Sequence, residues 1–140
     1  MNGVAQGNDE MTHAQVEYTV ETRKAFDEAV SAIEEQSAAK GFRVLHTHDI
    51  AGALAAKGFQ REPLKIIEIC NARMANEALA KDVRLALMLP CPISVYTQNG
   101  KTFISTLRPS VIPRFFPGAG AESIAAEVET AVLDIVNEAK

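Results

Sequence analysis

The chain has 140 residues, of which 47% are hydrophobic and 23% are charged, and its formal net charge is −4 at pH 7. This length suits one globular domain that buries a core without disulfide or metal support. The acidic balance argues against a dedicated nucleic-acid-binding protein, which would carry a basic surface. No stretch approaches the roughly 18 apolar residues of a membrane span.

The N-terminal segment predicts no export. Residues 1–13 are polar and have neither the basic region nor the apolar region of a signal peptide. We expect them to form a disordered leader before a single domain over 14–140. With two cysteines and no export signal, a cytoplasmic location with reduced thiols is the expectation.

Charge is spread unevenly along the chain. Residues 41–120 carry ten bases and five acids, whereas both flanking segments are acidic. A mildly basic central surface can attract a small anionic ligand. Acidic solvent faces on the terminal helices would explain the same imbalance.

Strand and helix signals alternate through the first half of the domain. Alternation around Val16, Tyr18 and Val20 predicts the first strand. Thr22 is the predicted N-cap of the helix that follows, and Gly41 suits its C-terminal end. The next predicted elements are a strand over 42–49, a short helix over 50–57 capped by Asp49, and a buried strand over 64–70.

The second half contains the clearest turn. Asn71 is the predicted cap of a helix over 72–81. Asn99-Gly100 is a strong hairpin signal, and it joins predicted strands over 92–98 and 102–108. Three prolines make 109–120 unsuited to a regular element, and a last helix is predicted over roughly 121–139.

The predicted order is therefore β-α-β-α-β-α-β-β-α. Such alternation can form a parallel doubly wound sheet. The antiparallel hairpin, the very short second helix and the lack of a Gly-rich first turn argue against one. We predict a single-domain α+β sandwich, in which a mostly antiparallel sheet is backed by the first and last helices.

The segment "EICNARMANEALAKDVRLALMLPCPISVYTQNGKT" resembles the bacterial and archaeal family catalogued as domain of unknown function 302. The shared features are Asn71 after a strand, Leu89-Pro90, Val95-Tyr96 and Gly100. The resemblance covers roughly residues 14–138. It implies an α+β fold similar to half of the TATA-box-binding protein, usually self-associating, and it implies no established activity.

One position departs from the family pattern. Ala72 stands where the family commonly has proline after the asparagine. Either residue suits the first position of a capped helix. We therefore interpret Asn71 as a helix cap rather than as part of a chemical motif.

Cys70 and Cys91 are the first candidates for chemistry. Cys70 lies at the end of one predicted strand and Cys91 at the start of another. Cys70 also directly precedes a helix N-terminus, a position that suits a nucleophile. Together they could serve a redox function or bind a soft metal. No CxxC or zinc-ribbon spacing is present, however, and buried cysteine commonly acts as a small hydrophobe. Alternation with Ile93 and Val95 favours packing for Cys91.

His46 and His48 are two residues apart on a predicted strand, so their imidazoles share a face. Combined with Cys70 and Cys91, they would complete a tetrahedral zinc or copper set. By the same alternation Phe42 and Val44 share the face of the histidines. That pattern would instead mark where the face emerges into solvent.

Glu68 and Tyr96 complete the candidate pocket. Glu68 shares the face of Cys70, so a carboxyl beside a thiol is a possible acid–base site. The alternative is an ion pair with a strand neighbour such as Lys65 or Arg43, or a surface-facing position. Tyr96 lies opposite the inward residues of its strand and faces solvent, a ligand or a partner subunit. The candidate pocket thus comprises Glu68, Cys70, Asn71, Cys91 and Tyr96.

The segment "VIPRFFP" is the candidate interface. Arg114, Phe115 and Phe116 combine adjacent aromatic rings with a cation, which is typical of protein contacts. A loop that folds back over the sheet edge is the alternative. Both interpretations hold together if the segment of one subunit covers the sheet edge of the other subunit in a homodimer.

No phosphate loop, nucleophile elbow or HExxH motif is present. The sequence therefore favours a homodimeric module without catalytic activity that binds a small molecule or another protein. The alternative is a thiol-dependent redox or soft-metal protein that uses Cys70 and Cys91.

Overall fold

The computed structural model of the protein describes residues 11–140. The first ten residues of the predicted leader 1–13 lie outside this part of the chain. The helices are α1 (His13–Val16), α2 (Phe26–Ala39), α3 (Ile50–Ala55), α4 (Ala72–Lys81) and α5 (Glu122–Ala139), with 3-10 helices at Val83–Met88 and Pro109–Arg114. The strands are β1 (Glu17–Thr22), β2 (Arg43–Asp49), β3 (Leu64–Cys70), β4 (Cys91–Gln98) and β5 (Lys101–Leu107).

The strands form one sheet in the order β1-β5-β4-β3-β2, and every neighbouring pair is antiparallel. The tight turn between β4 and β5 has positive φ at Asn99 (54°) and Gly100 (78°). Positive φ at both central residues of a two-residue loop matches the twist of the flanking strands. The predicted α+β fold and its mostly antiparallel sheet are confirmed.

The core lies between the sheet and the two long helices. α2 and α5 pack on each other and on one face of the sheet. Ile33 from α2 and Ile135 from α5 meet Ile67, Ile93 and Ile104 from the three central strands, and all five are 0% exposed. The register explains the match, because Ile67 pairs with Ile93 and both therefore point to the same side.

The opposite side of the sheet is turned away from α2 and α5, and we call it the open face. Strand alternation sends every second side chain there. Its residues on the four strands β2 to β5 include His46, His48, Leu64, Ile66, Glu68, Pro92, Ser94, Tyr96, Phe103 and Ser105, and none of these is buried.

Two predicted boundaries are wrong. Val16 ends α1 instead of entering the first strand. Thr22 is the last residue of β1 rather than a helix cap, and its buried hydroxyl accepts from the Lys24 N–H at 3.1 Å. The helix begins later, because Ala25 is its N-cap and the Glu28 carboxylate accepts the Ala25 N–H at 3.3 Å.

The proline-rich segment is more regular than predicted. Pro109–Arg114 forms a 3-10 helix, with the Val111 N–H donating to the Arg108 carbonyl at 3.0 Å. Pro109 occupies the first position, where the N–H would lack a helical partner anyway. The sequence reasoning also missed the 3-10 helix at Val83–Met88.

A β-bulge in β2 reverses which residues face the core. Val44 pairs with Ile69 but His46 pairs with Glu68, so β2 contains one extra residue, Leu45, between these pairs. The prediction that Phe42 and Val44 share the face of the histidines is therefore wrong. Phe42 is 4% exposed within the core, whereas the histidines point to the open face.

No helix within residues 11–140 is long and apolar enough to cross a membrane.

Asn71 forms the predicted cap and also bridges two elements. Its Oδ1 accepts the Met74 N–H at 3.0 Å, and its Nδ2 donates to the Gly41 carbonyl at 3.2 Å. The bridge ties the start of α4 to the turn before β2. Asn71 therefore fixes α4 at both the helix end and the neighbouring loop.

We expect Asn71→Ala to lower the free energy of unfolding by about 1–2 kcal/mol, since it removes both hydrogen bonds. Asn71→Asp keeps the capping oxygen and should lose less. Urea unfolding followed by circular dichroism measures both. Equal unfolding midpoints for Asn71→Ala and the wild type would contradict the capping role.

Candidate functional site: a groove on the open face

A groove of about 440 Å³ lies on the open face beside the β4–β5 turn. It is lined by Arg61, Glu62, Leu64, Ser94, Tyr96, Thr97, Gln98 and Ser105. Its volume lies within the range of about 300–1,000 Å³ that small-molecule sites occupy. Six of the eight lining residues are polar or charged, and Leu64 and Tyr96 form the apolar part of the wall.

Two stacked aromatic rings lie on the open face. The rings of Tyr96 and Phe103 are 5.5 Å apart between centroids, at an interplanar angle of 26°. The hairpin places them side by side, because a two-residue turn pairs Gln98 with Lys101 and hence Tyr96 with Phe103. Leu64 pairs with Tyr96 on the other side. The result is an apolar strip across three strands.

Hydroxyl groups form the next row. Ser94 pairs with Ser105, whose Oγ lies 2.6 Å from Thr19 Oγ1. The Thr19 hydroxyl donates its only proton to Glu17 Oε1 at 2.7 Å. Ser105 is therefore the donor to Thr19. It keeps lone pairs that can accept from a molecule in the groove.

Glu62 is tied to the rim of the groove. Its Oε2 accepts the backbone N–H of Asn99 at 3.4 Å. This contact joins the segment before β3 to the hairpin turn. The sequence reasoning missed this segment, together with Ser94, Phe103 and Ser105.

His46, His48 and Glu68 form a cluster elsewhere on the open face. His48 Nε2 lies 2.7 Å from Glu68 Oε1, and the two imidazole centroids are 4.4 Å apart in an edge-on arrangement. Glu68 therefore pairs with a strand neighbour, but that neighbour is His48 rather than Lys65 or Arg43. The bulge explains the difference, because it brings the histidines onto the face of Glu68.

The two thiols lie in a different place. Cys70 and Cys91 line a cleft of about 40 Å³ between β3, β4 and α4, together with Phe42, Ile69, Asn71, Met74, Ala75, Ala78, Leu89 and Val128. Burial, with a smaller contribution from Cys70, raises the pKa of the Cys91 thiol from its ordinary value of 9.0 to about 11. A thiol that stays protonated is a poor nucleophile at neutral pH.

The predicted pocket residues thus divide between two sites. Glu68 and Tyr96 belong to the open face, whereas Cys70, Asn71 and Cys91 line the apolar cleft. Within residues 11–140, no three His, Cys, Asp or Glu side chains are grouped so that they could hold a metal ion. That statement includes the predicted set of two cysteines and two histidines.

The predicted interface residues lie at the end of the second 3-10 helix. Phe115 is 56% exposed, whereas Phe116 packs against the core and lies under the Arg84 guanidinium, 5.4 Å from its ring centroid. Arg84 belongs to the other 3-10 helix, which exposes Val83 (73%) and Leu87 (79%). We call Val83, Leu87 and Phe115 the 3-10 surface.

We expect Cys91, isolated in a Cys70→Ser variant, to react slowly with a chromogenic disulfide reagent. Burial, the larger cause of the raised pKa of Cys91, persists in this variant, whereas the smaller contribution of Cys70 is removed. The thiolate fraction near pH 8 should therefore stay well below that of an ordinary cysteine, and the rate should keep rising above pH 9 in the native protein and become ordinary in denaturant. A native rate that levels off near pH 9 would contradict the burial of this thiol.

Comparisons with known proteins agree with the geometry. The family model described as "Domain of unknown function DUF302" matches residues 18–139. A crystal structure of an uncharacterized conserved DUF302 protein from Bacillus stearothermophilus superposes with a TM-score of 0.85 at 27% identity, covering 89% of this chain and 98% of that one. No curated protein matches the chain. The chain belongs to the DUF302 family of α+β domains, whose function is unknown.

Proposed function

We propose that the protein is a small-molecule-binding domain and that its ligand lies in the groove on the open face. The observation that carries this proposal is the groove itself, about 440 Å³ in volume, with Tyr96 on its wall. Tyr96 and Leu64 offer an apolar wall for a ring, and the six polar or charged residues around them offer hydrogen-bonding groups. A planar molecule can lie against Tyr96 while Ser105 accepts a hydrogen bond and Ser94 accepts or donates one.

The positions of the candidate catalytic side chains favour ligand binding over catalysis in the groove. The thiols, which are the nucleophiles among the sequence candidates, lie in the apolar cleft and not in the groove. Glu68 is engaged by His48 rather than poised beside a thiol. The raised pKa of Cys91 also weighs against the alternative of a thiol-dependent redox or zinc- and copper-binding protein.

We further propose that the protein forms a homodimer through the 3-10 surface. Large exposed apolar side chains on adjacent segments are costly in water and are typical of protein contacts. The 3-10 surface includes Phe115 and shares no residue with the groove lining. A second copy would bury the exposed side chains of both protomers around a two-fold axis.

We expect a planar aromatic probe such as benzimidazole to shift the backbone-amide NMR signals of 61–64, 94–98 and 103–105. Tyr96→Ala should weaken this binding about five- to tenfold, because stacking on an aromatic ring contributes about 1 kcal/mol or more. Tyr96→Phe keeps the ring and should retain most of the affinity. Tyr18→Phe is the control, since the Tyr18 hydroxyl bonds Asn137 Oδ1 away from the groove. Shifts confined to other residues would contradict the proposal.

We expect Leu87→Glu to convert a dimer into a monomer in sedimentation velocity, because it places a charge on the 3-10 surface. Phe59→Glu is the matched control, since Phe59 is 66% exposed but lies outside that surface. A wild-type monomer would contradict the dimer proposal. So would a dimer that survives Leu87→Glu and dissociates with Tyr96→Glu, since the open face would then be the interface.

A further inference from the structure

Arg61 is the cation at the rim of the groove. Its side chain is exposed, and its Nε donates to the Glu62 carbonyl oxygen at 2.9 Å. That bond orients the guanidinium at the edge where Tyr96 and Ser94 line the groove. Within residues 11–140, neither Nη of Arg61 makes a hydrogen bond or an ion pair.

Glu62 is the one carboxylate among the described residues that line the groove. Its Oε2 accepts the Asn99 N–H at 3.4 Å, and it forms no ion pair with Arg61 within residues 11–140. The Nη groups of Arg61 thus have no acceptor among these residues and can donate to a bound molecule.

We infer that the ligand of the groove is a small planar carboxylate. The inference rests on the proposed function and names the ligand class. A planar guanidinium presents two parallel N–H groups that match both oxygens of a carboxylate. The flat part of the ligand lies on Tyr96, and its acid group meets Arg61 at the rim. Residues 41–120 carry ten bases and five acids. This excess of positive charge also favours a negatively charged ligand.

The test compares 2-naphthoate with 2-naphthamide, which have the same ring system but differ in charge. Both are titrated into the full-length protein while the backbone-amide NMR signals of 94–98 are followed. We expect naphthoate to bind about fivefold more tightly, as suits an exposed charge-assisted pair. High salt should reduce this preference, because the guanidinium is exposed to solvent.

Variants of Arg61 test whether its guanidinium supplies the preference for the carboxylate. Arg61→Gln should abolish the preference, so that the ratio of the two affinities falls from about five to about one. Arg61→Lys keeps the charge without the planar fork and should retain only part of the preference. Arg23→Gln removes an exposed arginine outside the groove and should change neither affinity.

The outcomes distinguish the ligand class from the function. If both compounds bind equally and Tyr96→Ala weakens both, the groove binds small molecules but the carboxylate inference is overturned. A preference for naphthoate that survives Arg61→Gln also overturns it, since another group then supplies the selectivity. If neither compound shifts residues 94–98, the proposed function and the inference fail together.

Discussion

The packing of α2 and α5 against a single face of the sheet is the constraint on which the rest of the structure depends. It requires strict alternation along the strands, and the central isoleucines Ile67, Ile93 and Ile104 satisfy it with 0% exposure. Every intervening residue is then directed to the open face. The same alternation that forms the core therefore selects which side chains are available to a ligand.

This division separates the functions that the side chains can perform. Residues on the helix side, including Cys91, are surrounded by apolar groups, and burial makes the thiol hard to ionise. Residues on the open face keep their hydrogen-bonding capacity, because they remain partly exposed. The groove also depends on the hairpin turn, since the Asn99 N–H fixes Glu62 beside it. Its position follows from strand register rather than from any one motif.

The sequence predicted the strongly patterned parts of the fold. The limits of β3 and α4, the cap at Asn71 and the Asn99-Gly100 turn are confirmed, because each depends on contacts within a few residues. The bulge at Leu45 could not be predicted, since nothing in the local pattern shows where a neighbouring strand gains or loses a residue. The position of Phe103 beside Tyr96 could have been predicted from the sequence, because the two-residue turn fixes the pairing of these residues. The position of Arg61 could not, since it lies in an irregular segment that only the tertiary fold brings to the groove.

The bulge in β2 has a second effect, which concerns the edges of the sheet. β1 and β2 are the edge strands, and an uninterrupted edge offers backbone donors and acceptors that can recruit a strand from another molecule. The extra residue between Val44 and His46 breaks the regular spacing of these groups along β2. Copies of the protein are thereby discouraged from joining edge to edge into open-ended polymers. Association is left to side-chain surfaces, which can close into a finite assembly.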